Sequence, residues 1–169
     1  MVNIKEAANT AIAAYAAAVQ LGGNSSIPLP DVASAMAQLY LPGFTAFTLG
    51  QITTFPNETF AASSISQFLQ QVYNASGLGT DIKLEDSRVE CVSDQAAFAF
   101  ITWKIFPKNE FEPYDFVDVY GFRAVANRTN GLPGGWESSI ADNEYEELLK
   151  RIPGIFGKRK RGLWGMSTI

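Results

Sequence analysis

The chain of 169 residues contains no histidine and a single cysteine. The missing imidazole excludes Ser-His-Asp triads, Cys-His pairs, histidine general bases and nearly all zinc sites. One cysteine cannot make a disulfide within the chain. Cys91 lies in an apolar, alternating run and reads as a buried, inert thiol. No apolar stretch reaches membrane-spanning length, so no membrane partner is expected. Phosphate-binding glycine loops and nucleophile elbows are also missing, and Gly131–Gly135 precedes no predicted helix. Neither a cofactor nor a metal is expected.

Charged residues make up only 18% of the chain, against 47% hydrophobic, which is a globular composition. The charge is divided unevenly. All 17 acidic residues precede Leu148, whereas Lys150, Arg151, Lys158, Arg159, Lys160 and Arg161 follow it. An acidic body argues against a nucleic-acid partner. We read residues 1–153 as one domain and 154–169 as a basic C-terminal tail, with Phe156, Leu163 and Trp164 docking on the body. Ala11–Val19 is apolar enough to imitate a signal segment, but its spacing is helical and Lys5-Glu6 is a poor leader. A cytoplasmic location is therefore expected. Four glycosylation sequons, at Asn24, Asn57, Asn74 and Asn127, keep secretion as the alternative.

Aromatic residues are plentiful: 12 Phe, 6 Tyr and 3 Trp. Such a set suits a large core or an aromatic-lined cavity. Ile4, Ala8, Ile12, Tyr15 and Val19 repeat at helical steps and form one apolar stripe, which Gly22-Gly23-Asn24 ends. A second helix, capped by Asp31, carries Val32, Met36, Leu39 and Tyr40 inward and closes at Pro42-Gly43. Residues 44–55 read as two short strands around Gly50. A third helix spans about 60–73. From residue 81 the period becomes two, predicting strands near 81–92, 95–107, 114–126 and 134–141. Asp142 then caps a short helix that Pro153 stops. The order predicts an α+β fold: a strongly curved antiparallel sheet wrapped around three N-terminal helices, leaving an apolar pocket on its concave face.

Ala33–Phe47, Arg88–Ile105, Tyr114–Arg123 and Gly135-Trp136-Glu137, taken in this order, resemble the nuclear-transport-factor-2-like superfamily. This cone-shaped, cystatin-like fold includes SnoaL-like cyclases, ketosteroid isomerases and scytalone dehydratases. The resemblance covers about residues 3–141 and rests on element order. It implies a cofactor-independent isomerase, cyclase or dehydratase acting on a polyketide or terpenoid-like intermediate. A non-catalytic binding or dimerisation module is the alternative. Two departures are plain. The strand after helix two, Phe44–Leu49, lacks the isomerases' general-base aspartate, and no histidine pair matches that of scytalone dehydratase.

Alternation through residues 114–123 puts Phe116, Asp118, Tyr120 and Phe122 on one face. By resemblance, Asp118 sits where the isomerases place an oxyanion-hole acid, and Tyr15 where a first-helix tyrosine donates a hydrogen bond. Desolvation by aromatic neighbours would raise the Asp118 pKa and suit it to proton transfer near neutral pH. With the parity reversed, Asp118 is a surface acid. Tyr15 and Tyr40 read equally as core tyrosines. The expected catalytic set is Asp118, Tyr15, Tyr120 and Tyr40. The expected substrate-binding set is Phe44, Phe98, Phe100, Thr102, Phe116, Trp136 and Ser138. Glu144, Glu146 and Glu147 read as a solvated helix face. Glu90 and Arg88 read as surface. Ala97, Ala99, Ile101 and Trp103 are assigned to an exposed outer face that a second copy of the chain would cover, making a homodimer.

Overall fold

A computed structural model describes residues 3–157; Leu163, Trp164 and the Lys158–Arg161 cluster lie outside the described residues. The elements run α1 (Ile4–Gln20), α2 (Leu29–Ala37), β1 (Tyr40–Thr48), β2 (Gln51–Phe55), α3 (Glu58–Phe68), β3 (Ile82–Cys91), β4 (Ala96–Ile105), β5 (Tyr114–Ala124), β6 (Gly134–Ile140) and α4 (Asp142–Arg151). One six-stranded sheet has the order β2-β1-β6-β5-β4-β3. All neighbours are antiparallel except β1 and β6, which pair in parallel. The sheet is thus mixed and not purely antiparallel as expected. The parallel pair is possible because about half of the chain lies between β1 and β6, long enough for a crossover.

Helix α1 starts at Asn3, whose side chain accepts from the amides of Lys5 and Glu6. Its small residues Ala7, Ala8, Ala11 and Ala16 are buried. They let the helix lie close to the sheet, where Ala97 and Ala99 are equally small and equally buried. Helix α2 is shorter than expected. It begins after Pro28, Asp31 falls in its first turn, and it ends at Ala37. Tyr40, expected on that helix, opens β1 instead, and Pro42-Gly43 sits in a register irregularity of that strand. A proline is tolerated there because the ladder is already interrupted.

The third helix continues from α3 into a π-turn over Leu69–Asn74, which the sequence did not announce. The wider turn rotates the side chains that follow, and buries Leu69, Val72 and Tyr73. Strands β1 and β2 join through Leu49-Gly50, both at positive φ, as a tight antiparallel hairpin requires. Helix α4 is tied down at its start from two sides. Asp142 Oδ1 accepts from the Leu49 amide at 2.5 Å, and Asn143 Oδ1 from the Val117 amide at 2.7 Å. Asp142 therefore fastens the β1–β2 turn and does not cap its own helix.

Candidate functional site

The inner face of the sheet is set by the β4–β5 register. Ala99 pairs with Tyr120, Ile101 with Asp118 and Trp103 with Phe116. Directly paired residues share a face, so Asp118 looks the same way as Ile101 and Trp103, which are fully buried. This reverses the expectation for β4. Phe98, Phe100 and Thr102 lie on the outer face: Phe98 is 44% exposed, and Phe100 stacks under the Arg88 guanidinium at 4.2 Å. Ala97, Ala99, Ile101 and Trp103 are interior and form no dimer face. Alternation orders each strand alone, but the register between strands was set by the connection at 106–113, whose geometry the pattern did not show.

Strand β6 shows a second correction. Gly121 pairs with Ser138 but Phe122 with Trp136, so Glu137 is an extra residue, a β-bulge. The bulge shifts the parity. Trp136 and Ser139 face inward, and Ser138 does not join them. Trp136 is completely buried beneath Tyr15 and Tyr120, with ring centroids 5.8 and 5.1 Å away. It supports the site from below and does not line the cavity. The Arg123 guanidinium, on the face opposite Asp118, forks onto Glu137 at 2.8 and 3.0 Å. Glu90 and Arg88 pair at the surface. Cys91, expected to be buried, is exposed at the end of β3.

A cavity of about 100 Å³ lies between the helices and this inner face. Asp118, Tyr15, Tyr40, Tyr120, Phe44 and Phe116 all line it. The polar groups form a chain. Tyr40 Oη lies 3.0 Å from Tyr15 Oη, which lies 3.4 Å from Tyr120 Oη; the Tyr120 hydroxyl donates to Asp118 Oδ2 at 3.4 Å. The longer spans exceed the usual O–H···O distance of about 2.8 Å. Asp118 Oδ1 has no hydrogen-bond partner among the described residues. Burial holds the Asp118 carboxyl well above the usual carboxylate range; the charge of Glu144 adds to this and the Tyr120 bond opposes it. Burial likewise pushes the Tyr15, Tyr40 and Tyr120 hydroxyls up, so each remains a neutral donor.

A second carboxylate faces the same cavity. Glu144, expected in solvent, lines it from the first turn of α4 and accepts a hydrogen bond from Tyr73 Oη on the π-turn. Burial raises its pKa from the usual 4.5 to about 7, against the Tyr73 bond, which favours the anion. Tyr145 lines the cavity beside it, stacked between Phe68 and Phe156 with centroids at 5.4 and 4.8 Å. The Phe156 contact fits the expected docking of that residue on the body. One signal for Glu144 was available: it stands one turn before Leu148, which is fully buried, so the two share a helix face. The rest of the lining is mostly apolar, including Val32, Ile65, Phe55 and Trp103, with the hydroxyl side chains of Thr48, Thr80 and Ser139 among it. Among the described residues no group of three or more metal-ligating side chains exists.

Helices stacked on one face of a mixed sheet, with an aromatic pocket holding carboxyl and phenol groups between them, define an α+β layer domain. The chain has the nuclear-transport-factor-2-like, or cystatin-like, fold. A domain of unknown function with a cystatin-like fold from Nostoc punctiforme superposes with a TM-score of 0.58 at 13% identity, covering 89% of this chain and 86% of its own. A ketosteroid isomerase-like protein from Erwinia carotovora atroseptica gives 0.51 at 16% identity, over 78% and 89%. A putative scytalone dehydratase from Novosphingobium aromaticivorans gives 0.51 at 8% identity, over 80% of each. No family model and no curated protein matches the chain by sequence. Among the described residues no helix is long and apolar enough to cross a membrane.

Proposed function

We propose that this protein is a cofactor-independent isomerase, cyclase or dehydratase that transfers protons on an apolar substrate of the polyketide or terpenoid type. The reading takes the sheet as curled about the helices into a cone whose narrow end holds the polar groups. One observation carries it: the buried Tyr40–Tyr15–Tyr120–Asp118 chain, which lines a cavity whose other walls are mostly apolar. Each phenol has one proton to give. With Asp118 ionised, every hydroxyl points toward it and Tyr40 offers the cavity only a lone pair. With Asp118 protonated, the order can reverse, and a proton is presented to a substrate oxygen. Such a chain can polarise a carbonyl and stabilise the enolate that follows. Hydrogen bonds that are long in the free protein tighten when that charge develops.

The test is Asp118→Asn, assayed by the ultraviolet absorbance of enone formation or loss on β-hydroxy and conjugated ketones. It keeps the shape and removes the proton. Turnover should fall by at least about tenfold, within the range for loss of an acid-base group. Unchanged turnover removes Asp118 from the mechanism.

The free volume favours a second reading. About 100 Å³ is smaller than the roughly 150 Å³ cavity known to admit benzene. A multi-ring substrate therefore needs the pocket to open, whereas a non-catalytic module could hold a smaller ligand as it stands.

The proposed partner surface moves to the other face of the sheet. Ile52, Phe47, Ile140, Val119 and Phe100 are successive register partners across five strands. Ile52 is 70% exposed, Ile140 45% and Phe47 40%. A second copy covering this row would make a homodimer. Sedimentation at low concentration should return twice the monomer mass; a monomer refutes it.

A further inference from the structure

The cavity lining is unbalanced in charge. It holds Asp118 and Glu144, and among the described residues neither lysine nor arginine lines it. Two polar groups in it are also unanswered. Asp118 Oδ1 and the Tyr145 hydroxyl have no hydrogen-bond partner among the described residues, although the two residues are only 3% and 4% exposed. Buried polar groups are normally paired, so these two mark where a ligand's polar atoms would sit. Burial favours the protonated form of both carboxyls while the pocket is empty. A cation entering between them restores the ionised form, which can only accept, so a ligand that holds Asp118 and Glu144 charged must donate. A ligand carboxylate or phosphate would bring a further negative charge into a buried lining that, among the described residues, holds no cation, and is disfavoured. A bare divalent cation wants six or more oxygen ligands or a set of three to four protein donors, which this cavity does not supply. The remaining walls are mostly aliphatic and aromatic, with Tyr15, Phe116 and Trp103 among the rings, and aromatic rings attract organic cations.

Resting on the reading of this pocket as the substrate site, we infer that its substrate or ligand carries a protonated nitrogen: a compact aliphatic amine whose ammonium donates to Asp118 Oδ1 and to the Glu144–Tyr145 side, with its hydrocarbon part against the aromatic walls. The free volume limits that part to a few carbons unless the pocket opens. No covalent change is implied by binding. The ammonium supplies the counter-charge that the lining lacks, and the carboxylates supply the acceptors that it needs.

Three probes of nearly equal shape test this by calorimetry on the full chain at neutral pH: isobutylammonium, isobutanol and isobutyrate. The ammonium should bind at least about tenfold more tightly than the alcohol, and isobutyrate should not bind. In the isosteric double variant Asp118→Asn, Glu144→Gln, with folding checked by circular dichroism, the preference for the ammonium should vanish. An alcohol that binds as well as the ammonium, a tighter isobutyrate, or no binding by any probe overturns the inference. The wild-type ranking decides even where the variant fails to fold. The outcome is separable from that of the proton-transfer reading: amine binding without any turnover leaves a binding module, and loss of turnover in Asp118→Asn without amine binding leaves an enzyme for uncharged substrates.

Discussion

Two carboxyls line the cavity, Asp118 at its sheet end and Glu144 at its α4 end, and they are held in different ways. Asp118 stands in the middle of β5, between β4 and β6, in the centre of the sheet. It accepts from Tyr120 on β5, the last link of a hydroxyl chain that runs back through Tyr15 on α1 to Tyr40 on β1, and Trp136 lies fully buried beneath Tyr15 and Tyr120. Glu144 stands on α4, ten residues near the end of the described chain. Its partner Tyr73 comes from a π-turn, and the helix is moored by Asp142 and Asn143 and by the stack of Tyr145 on Phe68 and Phe156. One carboxyl is thus fixed by the core and the other by attachments at the periphery. Such a contrast assigns rigidity to one end and adjustment to the other. A pocket with little free volume admits a larger ligand most readily where the fewest core contacts must move, which is at α4.

The largest expected effect breaks this comparison directly. Trp136→Ala removes a fully buried indole that touches Tyr15, Tyr120 and Phe122. Truncating a buried aromatic costs about 3–5 kcal/mol, and the denaturation midpoint should fall accordingly. The matching change beneath the other end, Phe156→Ala, removes one ring stacked on Tyr145 and should cost only about 1 kcal/mol. Equal losses in urea melts of the two variants would show that both ends belong to one core, and the distinction would fail.

The same contrast explains what could be read from the sequence. Alternation along Tyr114–Arg123 put Phe116, Asp118 and Tyr120 on one face, because a strand repeats every two residues whatever its surroundings. The stripe on α1 identified Tyr15 in the same way. Interior parity on β4 was lost because it depends on pairing across the 106–113 connection, not on the strand's own pattern. Ser138 was lost to a single bulged residue, Glu137. Tyr40 was placed on a helix because its periodic partners extend past Ala37, and the strand took it by pairing with Trp136, far away in sequence. Glu144 was hidden by composition. Among Glu144, Glu146 and Glu147, charge alone says surface, and only the buried Leu148 one turn later distinguishes the first from the rest. Tyr73 could not be seen as its partner, since the π-turn that aims it is a tertiary outcome.

A smaller effect sharpens the comparison at its peripheral end. The folded protein holds Glu144 at about 7, whereas the unfolded chain ionises it near 4.5. The carboxyl is therefore easier to ionise unfolded than folded. Below about pH 4.5 both states are protonated and the group costs no stability; as pH rises toward 7 the unfolded chain gives up its proton first, and stability falls. One pKa unit is worth about 1.36 kcal/mol, so a rise from 4.5 to about 7 sets a ceiling of roughly 3.5 kcal/mol. Glu144 is only half-buried, and water around it brings the expected loss nearer to about 1–2 kcal/mol. Asp118 is also raised and works in the same direction, so wild-type stability should decline through this window more than Glu144 alone requires. Glu147 works oppositely: Lys150 and Arg151 hold it below its usual value, so its contribution is lost as pH falls. Glu144→Gln keeps the shape and the Tyr73 contact but cannot ionise. Urea melts between pH 4.5 and 7.5 should show a shallower decline in this variant, and the difference between the two curves isolates the Glu144 share. Parallel curves would mean that Glu144 ionises as freely folded as unfolded. It would then be a solvated helix acid after all, and the cavity would have one acidic end.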